Sequence, residues 1–440
     1  MGQEIERLLG RLWGSGAQGG RLDLEASEMA IRSSMHQLGG SLLEKVLNAD
    51  GGGYVGQEVD CGQGHRARWV DFRRKEIVTV LAPVQVERAY YHCRDCGGGV
   101  IPKDRDLDVV GSGFSPGVRR LLGRVGSQES FQQGRQDLEE LADIRVTAKQ
   151  VERVAERLGQ QVEALRVEEL APVRSGQVIV LKTIPKLYIA YDGTGVPVVA
   201  RETEGRAGKQ GPQAKTREAK LGCVFTQTRL DEDGQPQRDA GSTSYVGAIE
   251  TAEAFGRRIY REAVRRGLEQ AQRVVVLGDG AVWIWKIAEE HFPAAIQIVD
   301  LYHARQHLAE LAQRVYGPAS PQWKTWVAAR YRELDASQVE KVRGAIFGLK
   351  TRDQGVQQGI ERERKYFETN AERMRYAEFR HQGLFVGSGV VEAGCKTIIG
   401  HRLKQSGMHW TVRGANAIIA LRCLNLSGLW EQFWENRASA

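Results

Sequence analysis

The chain has 440 residues, 41% hydrophobic and 27% charged, which excludes a fibrous or wholly disordered protein and allows two to four structural units. Lysine and arginine outnumber acids 62 to 55, a formal charge of +7, and a surplus of that size is compatible with a polyanionic partner without requiring one. No apolar run approaches the roughly 18 residues needed to cross a bilayer, and the start MGQEIERLLGRLWG lacks a basic-then-apolar leader, so a cytoplasmic protein with no membrane partner is expected.

Residues 1–50 read as a helical segment that ends in the glycine run from Gly51 to Gly53. Residues 51–112 read as a zinc-ribbon-like β module. CGQGH places Cys61 and His65 in one turn and CRDC places Cys93 and Cys96 in another. Between them EIVTVLAPVQVERAYYHC alternates apolar and polar residues on both sides of Pro83, as a hairpin does. Three thiolates and one imidazole are a tetrahedral donor set for structural zinc, whose role would be to fold a module with little core of its own. The other reading is a metal-free turn. A catalytic zinc is excluded, because four protein ligands leave no position for water. Cys223, Cys395 and Cys423 sit in apolar segments and read as small core residues.

Residues 113–178 carry helical periodicity and read as a DNA-binding or dimerisation region. Thr147 to Gln150 is a capping-box pattern that opens a helix with Val151, Val154, Leu158 and Val162 on one face. Lys149, Arg153 and Arg157 fall on another face, just after a helix expected to end near Asp143. That face suits either a helix-turn-helix reader of DNA or a solvated face of a helical hairpin.

In residues 179–315 three short apolar runs each end in an aspartate: LYIAYD at 187–192, VVVLGD at 274–279 and AIQIVD at 295–300. They read as buried strands. The more polar strands GVPVVA and KLGCVFTQT lie around them, with amphipathic helices expected near 248–268, 281–291 and 303–315. The order β-β-β-α-β-α-β-α is that of a ribonuclease-H-like mixed sheet, so the fold class is α/β. Aspartates just past the C-terminal ends of neighbouring strands gather at one sheet edge, where their mutual repulsion calls for divalent metal and hard oxygen ligation suits magnesium. The third acid is expected from Glu392 in VGSGVVEAGCK, in the first turn of a helix.

The strings YDGTGVP, KLGCVFTQT, STSYVGAIETAEAFG, GDGAVWIWKIAEEHFPAAIQIVDLYHARQHL and GSGVVEAGCKTIIGHRLKQSGMHWTVRGANAIIALR resemble those of bacterial insertion-sequence transposases of the ISKra group, in the same order. The hairpin leading to YYHCRDCG resembles that family as well. The resemblance implies a ribonuclease-H-like core with an aspartate-aspartate-glutamate triad carried by Asp192, Asp279 and Glu392. It also implies a helical insertion before the glutamate, a slot that residues 316–385 fit, so that 386–440 form the last part of the core. Asp300, with His303 after it, competes with Asp279 for the second ligand position or serves to orient the site.

The expected chemistry is polynucleotidyl transfer with two Mg2+ or Mn2+ ions roughly 3.5 to 4 Å apart, Asp192 bridging both and Asp279 and Glu392 each holding one. The expected partner is double-stranded DNA, as terminal inverted repeats and target, with a homodimer or larger assembly bringing two ends together. Arg201, Arg206, Lys209, Lys215, Arg217 and Lys220 offer phosphate contacts in a glycine-rich stretch, or else a solvated loop. Near the C-terminus Arg402, Lys404 and Arg413 surround Trp410, which reads either as a base-stacking platform or as a core plug. The rival functions are a transposase-derived DNA-binding protein without cutting activity and a nuclease that hydrolyses without joining.

Overall fold

The structure, a computed structural model, describes residues 23–168, 183–208 and 213–438. Its contacts divide the chain into two compact units, Met1–Ala155 and Glu156–Ala440. The boundary falls inside one helix, and the expected boundary at 178/179 lies outside the described residues. Among the described residues no helix is long and apolar enough to cross a membrane.

The first unit opens with helix α1 (Leu24–Asn48), capped by the Asp23 carboxylate, which accepts from the Ala26 N–H at 3.1 Å. A four-stranded antiparallel sheet follows, β1 (Glu58–Asp60), β2 (Arg66–Val78), β3 (Pro83–His92) and β4 (Gly99–Val100), in sequential order. The expected hairpin is the β2–β3 pair. Leu43 and Leu47 of α1 pack on Ile77, Val84, Val86 and Val109, the apolar face of that hairpin. Helices α2 (Pro102–Asp106), α3 (Pro116–Gln128), α4 (Phe131–Ala142) and α5 (Ala148–Glu168) complete the region. The capping box forms as read: Gln150 Oε1 accepts from the Thr147 N–H at 2.8 Å, and Thr147 Oγ1 accepts from the Gln150 N–H at 3.2 Å. Asp143 ends α4 in a left-handed conformation at φ 55°.

The second unit is built on a mixed five-stranded sheet. Its strands are β5 (Ile184–Pro197), β6 (Thr216–Gln227), β9 (Ser244–Ala248), β10 (Ala271–Gly278) and β11 (Ile296–Val299), with a small hairpin of β7 (Arg229–Leu230) and β8 (Pro236–Gln237) between β6 and β9. The spatial order is β11-β10-β5-β6-β9, with β10 parallel to both β5 and β11, and β6 antiparallel to β5 and β9. Helices α6 (Ala252–Arg265), α7 (Val282–His291) and α8 (Leu301–Tyr316) separate the later strands, as the periodicity predicts.

One strand differs from expectation. GVPVVA is not a separate strand: β5 runs on through Asp192 to Pro197, because β6 pairs with it along its whole length from Lys186↔Gln227 to Pro197↔Thr216. Residues 316–385 are helical: α9 (Pro321–Asp335), α10 (Val339–Phe347), α11 (Gln354–Thr369) and α12 (Tyr376–His381). The chain then returns to the sheet with α13 (Gly389–Gly394), a π-helical stretch at Cys395–Gly400, α14 (His401–Leu403), α15 (Val412–Leu426) and α16 (Trp430–Ala438).

Candidate functional site

The parallel register places the aspartates. Ala190 of β5 is level with Leu277 of β10, and Gly278 of β10 is level with Val299 of β11. Two residues past the first pair stand Asp192 and Asp279, and one past the second stand Asp279 and Asp300, so the three acids share one level across three adjacent strands about 4.8 Å apart. β10 and β11 end just before Asp279 and Asp300, whereas β5 runs on past Asp192 to Pro197.

Alternation along β5 then decides which face receives what. Tyr191 turns to the side covered by Phe255 and Trp283, at ring separations of 6.2 and 6.3 Å. Lys186, Tyr188 and Asp192 belong to the opposite face, and the segment that leads to α13 follows that face residue by residue. Lys186 Nζ donates to the Gly383 carbonyl at 2.9 Å, Tyr188 packs edge-on to Phe385 at 5.3 Å, and the Cys395 thiol is hydrogen-bonded to the Asp192 carboxylate. Glu392 lies one helical turn before Cys395, half-buried. Its Oε1 accepts from the Ser388 hydroxyl at 3.4 Å, while the Ser388 N–H donates to Asp300 Oδ2. The start of α13 is therefore tied to Asp300 after the edge strand β11, and the residue after α13 to Asp192 on the central strand β5.

Each aspartate is held differently. Asp192 Oδ1 accepts from the Gly193 N–H at 2.7 Å. Burial pushes its pKa above the ordinary carboxylate range, the nearby Asp279 adds to the rise, and the Cys395 contact, the Gly193 N–H and His303 oppose it. Asp279 Oδ1 accepts from the Ala281 N–H at 2.8 Å, and the Asp279 carbonyl accepts from the Tyr366 hydroxyl at 2.8 Å. Gly280 between them has φ 97°, and a Cβ there would sit 2.5 Å from the Tyr366 ring. Asp300 is fully buried and caps α8 through the His303 N–H at 2.6 Å, so its contacts are those of a buried anchor.

A network that the sequence reading missed backs this edge. His307 Nδ1 is 2.5 Å from Glu363 Oε2, and its ring stacks on Tyr366 at 4.1 Å and 12°. His303 lies edge-on to His307 at 4.9 Å. The spacings His303/His307 and Glu363/Tyr366 fit single helix faces, a weak signal that nothing in the sequence connects.

Several expected DNA contacts are not on the surface. Arg402 is fully buried with its guanidinium carbon 5.0 Å from the Trp410 ring centre, and Trp410 is 7% exposed with its indole N–H donating to the Leu403 carbonyl at 3.1 Å. Trp410 is thus the core plug rather than the stacking platform, and Arg402 packs beneath it instead of reaching a phosphate. Lys220 is 6% exposed and donates to Glu218 at 2.8 Å and to the Glu250 carbonyl at 3.2 Å, so it is a structural cation. Arg217 is half-buried and donates to the Glu202 carbonyl at 3.1 Å. Arg201, Arg206 and Lys215 are exposed, while Lys209 lies outside the described residues. Lys404 is exposed and its ammonium donates to Thr194, two residues beyond Asp192. Arg413 is exposed and donates to Gln160 at 2.7 Å. Lys149 and Arg153 are exposed on α5, Lys149 paired with Glu152 at 2.6 Å.

In the first unit Cys61, His65, Cys93 and Cys96 come together, each offering one donor atom, all within 4.8 Å of one another. A tetrahedron with arms of ~2.3 Å has edges of roughly 3.8 Å, so the set fits a structural metal ion with small closure. The turns are built for this: the Cys61 N–H donates to the His65 carbonyl at 3.1 Å and the Cys93 N–H to the Gly98 carbonyl at 2.9 Å. Gly62, Gly64 and Gly97 take φ of 82°, 80° and 66°. The Cys96 N–H directed at the Cys93 sulfur lowers that thiol's pKa, favouring the thiolate that binds metal. Among the described residues only these four form such a group. Asp192, Asp279 and Glu392 share one end of the sheet without closing to the same separation.

A protein-family model described as an uncharacterised protein family (UPF0236) matches residues 260–437, a span that includes Asp279, Asp300, His303 and Glu392 and leaves Asp192 outside. No curated protein matches the chain.

Proposed function

We propose that the chain is a DNA transposase of the acidic-triad class with a ribonuclease-H-like core, similar to the ISKra group of insertion-sequence enzymes, acting on double-stranded DNA. The observation that supports this best is the convergence of Asp192, Asp279 and the Glu392 helix at one end of a mixed sheet in the order β11-β10-β5-β6-β9. The donors are hard carboxylate oxygens, and a half-buried Asp192 whose charged form is disfavoured by burial and by Asp279 is a site in want of positive charge. Asp192, Asp279 and Glu392 would hold two Mg2+ or Mn2+ ions, which when bound supply an activated nucleophile and stabilise the attacking and leaving oxygens of an in-line displacement.

The chain's own groups position the reaction. Gly193 and Ala281 N–H groups fix one oxygen of each aspartate, and the Cys395 thiol also contacts the Asp192 carboxylate. Ser388 steadies Glu392, and Asp300 steadies Ser388. Exposed Arg201, Arg206, Lys215, Lys404 and Arg413 are available to DNA phosphates, giving affinity that falls with salt and carries little base choice. In the first step water adds to the phosphodiester at the element end and the strand parts to leave a 3′-hydroxyl and a 5′-phosphate. In the second that hydroxyl attacks a target phosphodiester, forming the new bond as the target's own 3′-oxygen leaves. The Cys/His quartet is assigned to zinc, as a structural ion.

The test is incubation of purified protein and Mg2+ with duplexes made from the inverted repeats flanking its own coding region, plus a target plasmid. Joined product supports the proposal. Nicked DNA alone would make the protein a hydrolytic nuclease, and bound but uncut DNA a non-cutting derivative.

A further inference from the structure

Helix α1 has two apolar faces and buries one. Leu43 and Leu47 pack into the hairpin, and a Cβ on Gly40 would meet Ala82 at 2.6 Å, so the C-terminal half of that side is closed, while Met29 on the same side is 50% exposed. On the other side Leu24, Ile31, Met35 and Leu42 are 65%, 50%, 52% and 59% exposed, and Leu38 is half-buried among them. Exposed leucines scattered singly need no explanation, but these fall on one line. Leu24, Glu28, Ile31, Met35, Leu38, Leu42 and Lys45 are spaced alternately four and three apart, the repeat of a coiled-coil seam. Five of the seven are apolar, and the two that are not carry opposite charges near opposite ends.

That placement selects an occupant. In a parallel pair Glu28 would face Glu28 and Lys45 would face Lys45, putting like charges inside the seam at both ends. In an antiparallel pair the seam layers become Ile31 with Leu42, Met35 with Leu38, Leu38 with Met35 and Leu42 with Ile31. Each end then closes with Glu28 of one helix against Lys45 of the other. Every apolar residue of the inner layers meets an apolar one, both charges are complemented, and the two helix dipoles oppose. We infer that α1 is a self-association surface, whose partner is the α1 of a second copy of this chain in antiparallel register. The helix is 25 residues, ~37 Å long, enough for all these layers.

The test uses the full chain without DNA, its mass measured by sedimentation equilibrium at several concentrations. The expected result is a monomer–dimer equilibrium. Glu28→Lys should weaken it by on the order of tenfold, since the introduced ammonium would face Lys45 at both ends of one dimer. Lys45→Glu should do the same, and the double reversal should restore wild-type association. Both side chains are exposed, so these changes do not test folding. Met35→Asp should give a monomer whose melting temperature matches that of the wild type at concentrations where the wild type is monomeric. The inference is overturned if the wild type is monomeric throughout, or if the single reversals leave the dimer intact. It is also overturned if the double reversal fails to rescue, which points to parallel pairing, or if Met35→Asp destabilises a monomeric protein, which points to cover from within the same chain. None of these outcomes depends on whether the protein cuts DNA.

Discussion

Cys61, His65, Cys93 and Cys96 come from two turns joined by one hairpin, whereas the acids come from points as far apart as residues 192 and 392. The first group is closed by local hydrogen bonds and glycine turns, and its donors already lie within 4.8 Å of each other. The second depends on parallel register, on the alternation of β5 and on a return of the chain after a long helical insertion. Its members carry like charge and stand further apart. On the proposed reading the contrast separates two uses of metal ligands: soft donors drawn together by neighbouring backbone would hold a module in shape, and hard donors assembled by topology would serve a substrate.

That comparison can be broken at either site. The largest effect is expected at the closed one: Cys93→Ser, or treatment with a strong chelator, should cost the β1–β4 module on the order of 5 kcal/mol or more. Bound zinc measured by mass spectrometry should fall with the melting transition; full stability without metal would make the quartet an ordinary turn. At the open site, Asp192→Asn, Asp279→Asn and Glu392→Gln should each reduce strand cleavage by roughly a thousandfold, several kcal/mol of transition-state stabilisation, while DNA binding in a filter assay is retained. Gly280→Ala forces a side chain into φ 97° and against Tyr366, and should lower stability by about 3 kcal/mol in urea unfolding.

A smaller loss is expected from Tyr366→Phe, which removes the hydroxyl donated to the Asp279 carbonyl. About 1 kcal/mol, or roughly fivefold in cleavage rate with DNA affinity unchanged, would mark Tyr366 as a positioning residue. The smallest effect concerns pH. Burial and Asp279 raise the Asp192 pKa, so the metal-free fold keeps a proton that the unfolded chain has already released. Stability then falls as pH rises from the ordinary carboxylate value through the raised one. Asp192→Asn removes that loss and should raise the metal-free melting temperature at neutral pH by on the order of 2 °C.

The parts legible in the sequence were those with a local physical signature. The apolar runs that lead to Asp279 and Asp300 became strands that end just before those acids. The capping box at Thr147 and the helix end near Asp143 also formed, each set by neighbouring residues. What was not legible depended on partners remote in the chain. β5 continues past Asp192 because β6 accompanies it along that length. Arg402 and Lys220 look like surface cations from charge alone, yet Trp410 and Glu218 bring them inside. The network of His307, Glu363 and Tyr366 joins a core helix to the insertion across 56 residues between its hydrogen-bonded members His307 and Glu363. No spacing in the sequence encodes such a contact.

The central claim, that Asp192, Asp279 and Glu392 together hold divalent metal, is tested most directly by titrating Mn2+ into zinc-loaded protein and following the free ion by electron paramagnetic resonance. Saturable binding of one or two ions in the wild type, lost or sharply weakened in Asp192→Asn, Asp279→Asn and Glu392→Gln, is the predicted result. Mn2+ binding unchanged in all three variants would contradict it.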